Sequence, residues 1–262
     1  MSEAAALLGL AVRAAHVAGA LLVDRFGGPQ AGLSAKSSRT DLVSDADRAA
    51  EDLIVGMIRR ERPDDGLLAE EGAAADGATG VGWLVDPLDG TINYLWGIPH
   101  WSVSVAATDA RGDLVGVVHD PNRAETFTAA RGAGALLGGA RLELSASEDG
   151  SEALVGTGFS YVAEQRARQA TLLVDWLPEV RDVRRFGSAA LDLAWVAAGR
   201  LDAFYETGLS PWDWAAGAML VREAGGTITQ LPAEPGGADG ILAARPGLAE
   251  PLLHLIRAGS IR

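Results

Sequence analysis

Gly82-Trp83-Leu84-Val85-Asp86-Pro87-Leu88-Asp89-Gly90-Thr91-Ile92-Asn93 organises the reading of this chain. Trp83, Leu84 and Val85 form a short run of large apolar residues, which predicts a buried strand. Pro87 cannot donate to a strand ladder, so the strand is expected to end at Asp86 and the chain to turn. Asp86 and Asp89 flank a Pro-Leu pair, and Gly90-Thr91 is placed to open another element. Two carboxylates on one tight turn repel by about 1 kcal/mol at contact in water, and by several times more when partly buried. A pair of this kind is kept where a cation sits between the groups, although Asp also caps the backbone of turns.

The chain is 262 residues long and 48% hydrophobic, enough for one large domain or two lobes around a sizeable core. Its 35 acidic and 22 basic residues give a net charge of −13. That balance argues against a nucleic-acid or anionic-membrane partner bound through a broad basic face, and it suits a cation site. With no cysteine, disulfides, thiolate catalysis and Cys-based zinc sites are excluded. His16, His100, His119 and His254 have no metal-ligand spacing. A metal site would therefore be built from oxygen, which favours magnesium, calcium or manganese. Glu3, Arg13, His16 and Asp24 interrupt the apolar N-terminus, and no basic leader segment precedes it, so a cytoplasmic protein is expected.

Residues 3–26 carry a helical stripe that ends at Gly27-Gly28-Pro29. Lys36 to Thr40 is polar and predicts a loop or short hairpin. A second helix is expected near Ser44, where Ser44 and Asp47 form an acidic capping box, and Pro63 ends it. Leu67 to Gly72 reads as a strand terminating in Glu70-Glu71. Neighbouring strand side chains point to opposite faces, so one glutamate at most faces a given site, and parity alone leaves the choice open. Residues 73–80 suit a mobile loop. The segments 101–108, 113–119 and 125–129 predict an antiparallel meander, with the glycine-rich run 132–139 as a loop. Beyond residue 150, strands at 153–156, 180–184, 201–205 and 227–230 alternate with helices at 164–176, 189–198 and 214–224. One globular unit is expected, an α+β lobe over about 1–145 and an α/β lobe over about 146–262. Asp213, within Trp212-Asp213-Trp214-Ala215-Ala216-Gly217, stands where a helix N-cap is needed. Glu70, Asp86, Asp89 and Asp213 would all lie at strand ends or helix starts, which converge on the functional edge of layered α/β folds.

These motifs together resemble the signatures of the inositol monophosphatase family. The resemblance extends to Lys36-Ser37-Ser38, Asp41, Asp47, Gly187-Ser188-Ala189-Ala190 and Glu206, in order over nearly the whole chain. It implies a layered αβαβα sandwich, a homodimer, and magnesium-dependent hydrolysis of phosphate monoesters with two or three Mg²⁺. Glu70, Asp86 and the Leu88 carbonyl would bind one ion, and Asp86, Asp89 and Asp213 another. Glu70 is thereby chosen over Glu71. Thr91, assisted by Asp47, would orient the attacking water, and with Glu70 these form the implied catalytic set. The Gly90 and Thr91 amides would hold the phosphate. Asp89, Ala189, Glu206 and Asp213 would meet the substrate, and Lys36 is a further candidate.

The residue types suit that chemistry independently, because two oxygen-ligated metals both activate a nucleophile and neutralise phosphate oxygens. A haloacid-dehalogenase-type phosphatase needs its two aspartates two residues apart, whereas Asp86 and Asp89 are three apart. A glycosidase could use paired carboxylates, but no sugar-stacking aromatic arrangement accompanies them. Glu206, seven residues before Asp213, favours a polyol phosphate such as inositol 1-monophosphate. Histidinol phosphate, fructose 1,6-bisphosphate and 3′-phosphoadenosine 5′-phosphate are the alternative esters. A non-enzymatic scaffold or regulatory protein is the alternative class, and the complete carboxylate set weighs against it.

Overall fold

In a computed structural model, residues 2–28, 34–35, 42–147, 149–233 and 239–259 are described. Lys36, Ser37, Ser38 and Asp41 lie outside the described residues. The chain begins with α1 (Glu3–Arg25), β1 (Ser34–Ala35), β2 (Leu42–Val43), α2 (Asp45–Glu61), β3 (Gly66–Ala69) and β4 (Ala74–Ala75). Next come β5 (Gly82–Asp89), α3 (Thr91–Leu95), β6 (Ser102–Asp109), β7 (Gly112–Asp120), β8 (Glu125–Ala130), β9 (Gly134–Leu137) and β10 (Ala140–Leu142). The second half contributes β11 (Leu154–Thr157), α4 (Ala163–Trp176), β12 (Asp182–Arg184), α5 (Ala189–Ala197) and β13 (Ala203–Thr207). It closes with α6 (Pro211–Glu223), β14 (Thr227–Leu231), β15 (Gly240–Ala244) and α7 (Ala249–Gly259).

An eight-stranded sheet has the order β10-β9-β8-β7-β6-β5-β3-β4, and a five-stranded sheet the order β12-β11-β13-β15-β14. Helices α1 and α2 cover one face of the larger sheet; α5 and α6 lie between the two sheets; α4 and α7 cover the far face of the smaller one. This is the expected αβαβα layering. Helix α1 is long and apolar enough to cross a membrane by length and composition. Here its Leu7, Leu10, Ala14, Ala18 and Leu22 face is buried in the core it shares with α2 and the sheet.

The small residues of the Trp212–Gly217 motif have a packing role. A Cβ at Gly116 of β7 would sit 2.7 Å from the Ala216 carbonyl oxygen, and one at Gly217 would overlap Leu193 of α5. Helix α6 thus packs closely against the β7 backbone on one side and the Leu193 side chain on the other, and a single added methyl there costs about 1–3 kcal/mol.

Four sequence expectations are corrected. Strand β5 does not end at Asp86 but runs through Pro87 to Asp89. Asp86 pairs with Ser104 and Asp89 with Ser102, so three steps along β5 match two along β6. The extra residue is a β-bulge, which takes up the missing proline N–H. The glycine-rich run is not a loop throughout: β9 lies within it and pairs with both β8 and β10. Gly138 and Gly139, both at positive φ, make the tight turn between β9 and β10. Residues 73–80 include β4 and are pinned by Asp65, which accepts hydrogen bonds from Thr79 (2.6 Å), Trp83 (3.0 Å) and Arg62 (2.7 Å). Finally, α6 starts at Pro211, so the N-cap is Ser210 and Asp213 is the third helical residue.

Candidate active site

The bulge in β5 decides how the acids are aimed. In a regular strand, residues three apart point to opposite faces. One inserted residue restores Asp86 and Asp89 to the same side, and both line a cavity of about 430 Å³. Asp86 Oδ1 accepts a hydrogen bond from the Leu88 amide at 3.0 Å, which closes the turn around Pro87. Asp89 is gripped from the other half of the molecule. Its Oδ2 accepts from the Ser188 hydroxyl (2.5 Å) and the Ala190 amide (2.8 Å), and its Oδ1 from the Ala189 amide (3.3 Å). These are donors of the first turn of α5, where a carboxylate is favoured.

Asp213 reaches the same cavity from α6, with Oδ2 accepting from the Ser210 amide at 2.7 Å in a capping box. Glu70 follows the last residue of β3, and its backbone is tied to the Val85 carbonyl at 3.1 Å. Glu71 turns away, its amide donating at 2.7 Å to the buried Glu51, which also accepts from Ala73 at 3.0 Å. Parity in the sequence left this choice open; the structure has Glu70 at the cavity.

The hydroxyl of Thr91 lies 3.1 Å from Asp47 Oδ1 and 3.0 Å from the Leu88 carbonyl. Asp47 is fully buried, and its Oδ2 accepts from the Ser44 amide (3.1 Å) and hydroxyl (2.5 Å). The capping box of α2 therefore has a second use, presenting Asp47 to Thr91. Gly90 precedes Thr91 at φ 94°, and a Cβ there would press on the His100 and Gly187 carbonyls at 3.1 and 3.2 Å. Only glycine fits this turn comfortably.

Burial, then repulsion from Glu70, Asp89 and Asp213, pushes the Asp86 carboxyl well above the usual range, and Asp86 is within hydrogen-bond reach of Glu70. Burial raises Asp89 to about 6 against the opposing pull of Ser188 and the α5 amides. Asp213 is raised by burial and by Glu70 and Asp89. Such a cluster needs protons or cations to be stable. Its donor set is all oxygen, as a hard divalent ion requires. Among the described residues, no three His, Cys, Asp or Glu side chains are already drawn around a single point as a closed metal cage. The acids line an open cavity instead.

The Inositol monophosphatase family profile matches residues 3–259. The chain belongs to the inositol monophosphatase family. It is 44% identical over 227 residues to the Nus factor SuhB of Escherichia coli K12, covering 86% of this chain and 85% of that protein. It is 42% identical over 245 residues to Inositol-1-monophosphatase SuhB of Mycobacterium tuberculosis, covering 90% and 84%. Among solved structures, extragenic suppressor protein suhB from Bartonella henselae superposes with a TM-score of 0.85 at 38% identity over 97% of this chain and 98% of that one. A Thermotoga maritima IMPase gives 0.85 at 32% identity over 96% and 97%.

Within this family fold, the cavity gathers Glu70, Asp86, Leu88, Asp89, Gly90, Thr91, Ala189, Glu206 and Asp213; Asp47 stands behind Thr91. Ala189 contributes its amide to Asp89. Glu206 is inside β13 and not beyond the strand end, and burial raises its carboxyl to about 7, with Arg185 opposing and Asp89 adding to the shift. Sequence reasoning missed four residues. Glu51 holds the loop after β3. Asn93 donates to the His100 and Phe186 carbonyls, both at 2.8 Å, and so joins α3 to the segment before α5. Arg185 is the only basic residue lining the cavity among the described residues, and Asp192 is buried in its wall. A charged residue inside the apolar run Leu191-Asp192-Leu193-Ala194 was the available signal for Asp192.

Proposed function

We propose that the protein hydrolyses phosphate monoesters with Mg²⁺ held by Glu70, Asp86, the Leu88 carbonyl, Asp89 and Asp213, and that inositol 1-monophosphate is its ester. The observation that carries this reading is the convergence of four acids on one cavity beside the Thr91–Asp47 pair. When bound, divalent metal neutralises phosphate oxygens and lowers the pKa of water.

The remaining steps belong to the protein's own groups. Thr91 Oγ1, with its hydroxyl hydrogen directed to Asp47 Oδ1, accepts a hydrogen bond from the attacking water. The water's proton passes to Thr91 Oγ1 as the hydroxyl proton moves toward Asp47 Oδ1; the water oxygen bonds to phosphorus as the bond from phosphorus to the ester oxygen breaks, and the departing alcohol oxygen takes a proton from solvent in the open cavity. The amides of Gly90 and Thr91 receive the phosphate, and the Ala189 region with Glu206 faces the alcohol. The reading carries two or three Mg²⁺ ions, a homodimer and a cytoplasmic location.

Phosphate release should be screened over inositol 1-monophosphate, histidinol phosphate, fructose 1,6-bisphosphate and 3′-phosphoadenosine 5′-phosphate, with magnesium and with chelator. The first ester should lead, and only with magnesium. No release from any ester by folded, magnesium-saturated protein would favour a second reading. That reading is a partner of transcription machinery, supported by the 44% identity to a relative named a Nus factor.

A further inference from the structure

Strands β11 and β13 run parallel, and their ladder ends at the pair Thr157–Tyr205. Past that pair the chain crosses from Gly158 to Val162 before α4 starts, and this segment forms part of the cavity rim. Tyr161 and Val162, 40% and 47% exposed, are its outer lip. At its base the segment touches β13, since a Cβ at Gly158 would lie 2.0 Å from Glu206 Oε2. Local bonds fold it onto the start of α4. The Ser160 hydroxyl donates to Gln165 Oε1 (2.8 Å), the Val162 amide to Ser160 Oγ (3.0 Å), and Arg166 Nη1 to the Ser160 carbonyl (2.9 Å). Gln169, on the second turn of α4, does something different. Its Oε1 accepts from the Ser160 amide at 2.8 Å, and its Nε2 donates to the Thr207 hydroxyl at 2.8 Å. Thr207 is the last residue of β13. One side-chain amide, acceptor and donor together, thus joins two segments that no longer pair as strands.

We propose that Gln169 is a positioning residue: it clamps the rim segment 158–162 to the end of β13 and so sets the width of the cavity mouth, limiting the size of the alcohol group that the cavity admits. Because Gly158 is already in contact with Glu206, the segment has freedom only away from β13. Releasing the clamp therefore widens the mouth. The local bonds to Gln165 and Arg166 survive that release, because they travel with α4, so the segment keeps its own fold while losing its anchor on the strand. The inference rests on the phosphate-ester reading and adds to it a size limit on the ester's alcohol, set from outside the cavity.

Gln169→Met keeps the length of the side chain and removes both bonds. Amide hydrogen exchange, which needs no turnover, reads the clamp first. Peptides covering Ser160 should exchange about five- to tenfold faster in Gln169→Met, while peptides of α5 and β15 keep wild-type rates. Thr207→Val should speed exchange in the same peptides, and the double variant no further than Gln169→Met alone, since both changes cut one bridge. Unchanged exchange in Gln169→Met, or additive effects in the double variant, overturns the clamp. Size selection is read from kcat/KM for phenyl phosphate and 1-naphthyl phosphate, aryl esters that differ by one fused ring. Wild type should prefer the phenyl ester. Gln169→Met should raise the naphthyl-to-phenyl ratio about three- to tenfold through KM, with kcat for the phenyl ester within about twofold of wild type. General damage to the fold would lower both esters alike, and an unchanged ratio overturns the size limit. Wild-type protein that releases no phosphate from either ester defeats the phosphatase reading, and the exchange measurement still decides the clamp.

Discussion

The two walls of the cavity are built on opposite plans. On the Asp86 side, each of three aspartates spends an oxygen on a backbone amide: Asp86 on Leu88, Asp89 on Ala189 and Ala190, Asp213 on Ser210. These amides belong to a strand bulge and to two helix N-termini, so the carboxylates are fixed by elements that are themselves packed in the core. On the Glu206 side, Asp192 Oδ1 has no partner and the nearest cation is Arg185, an exposed side chain. The difference matches the two tasks of the proposed function: under that proposal, charge that meets a metal and a phosphate is preorganised by backbone, and groups that read the variable part of a substrate are left to pair with that substrate.

The largest effect expected from this contrast is at Asp213. Asp213→Asn keeps the capping-box geometry and removes the charge. Activity at saturating Mg²⁺ should fall about a hundredfold or more, the rate equivalent of several kcal/mol of charge stabilisation. The metal-free thermal midpoint should hold or rise, because an acid that repels Glu70 and Asp89 is gone. Wild-type turnover in the variant would reduce Asp213 to a helix cap.

On the other wall, Glu206→Gln should lower kcat/KM for inositol 1-monophosphate by roughly ten- to a hundredfold relative to an aryl phosphate, since a hydrogen bond to a charged group is worth about 1.5–3 kcal/mol. The ratio of the two constants is the readout. Equal losses on both esters would merge the two walls into one.

Acidity separates them as well. The folded-state values of Asp86, Asp89, Asp213, Asp192 and Glu206 all lie above the unfolded ones, Asp89 reaching about 6 and Glu206 about 7. These five groups bind more protons in the native state and make metal-free stability fall as pH rises from about 4 through 7, against His100 and His119, both lowered by burial to about 4, whose smaller contribution runs the other way. Saturating Mg²⁺ should erase the part due to Asp86, Asp89 and Asp213 and leave the part due to Asp192 and Glu206. Thermal scans across pH with and without Mg²⁺ measure this; a metal-free midpoint that rises over that range contradicts it.

The smallest effect is at Glu51, behind Glu70. Glu51→Gln weakens its charge-assisted bonds to the Glu71 and Ala73 amides and should cost about 1 kcal/mol of stability, measured by denaturant unfolding. A loss of activity as large as that of Asp213→Asn would place Glu51 in the site itself.

The difference between the walls also accounts for what the sequence discloses. Acids at strand ends and helix starts carry a local signature, so Glu70, Asp86, Asp89 and Asp213 are legible beside their glycines and caps. The Ser44–Asp47 box is legible for the same reason. The bulge is not, because Pro87 ordinarily ends a strand and the register that reveals the extra residue is set by pairing with β6. Asp192 escapes because only the folded molecule shows it buried in the cavity wall. The strand within the glycine-rich run escapes because glycine marks turns first, and β9 is only four residues long between two glycine turns.

Calorimetric titration of Mg²⁺ into metal-free wild type, Asp213→Asn and Glu206→Gln, with no substrate present, tests the division of labour most directly. The account predicts saturable binding to wild type and to Glu206→Gln with similar affinity, and binding to Asp213→Asn weakened about tenfold or more through loss of one charged ligand. No binding to wild type, or equal weakening in both variants, would contradict it.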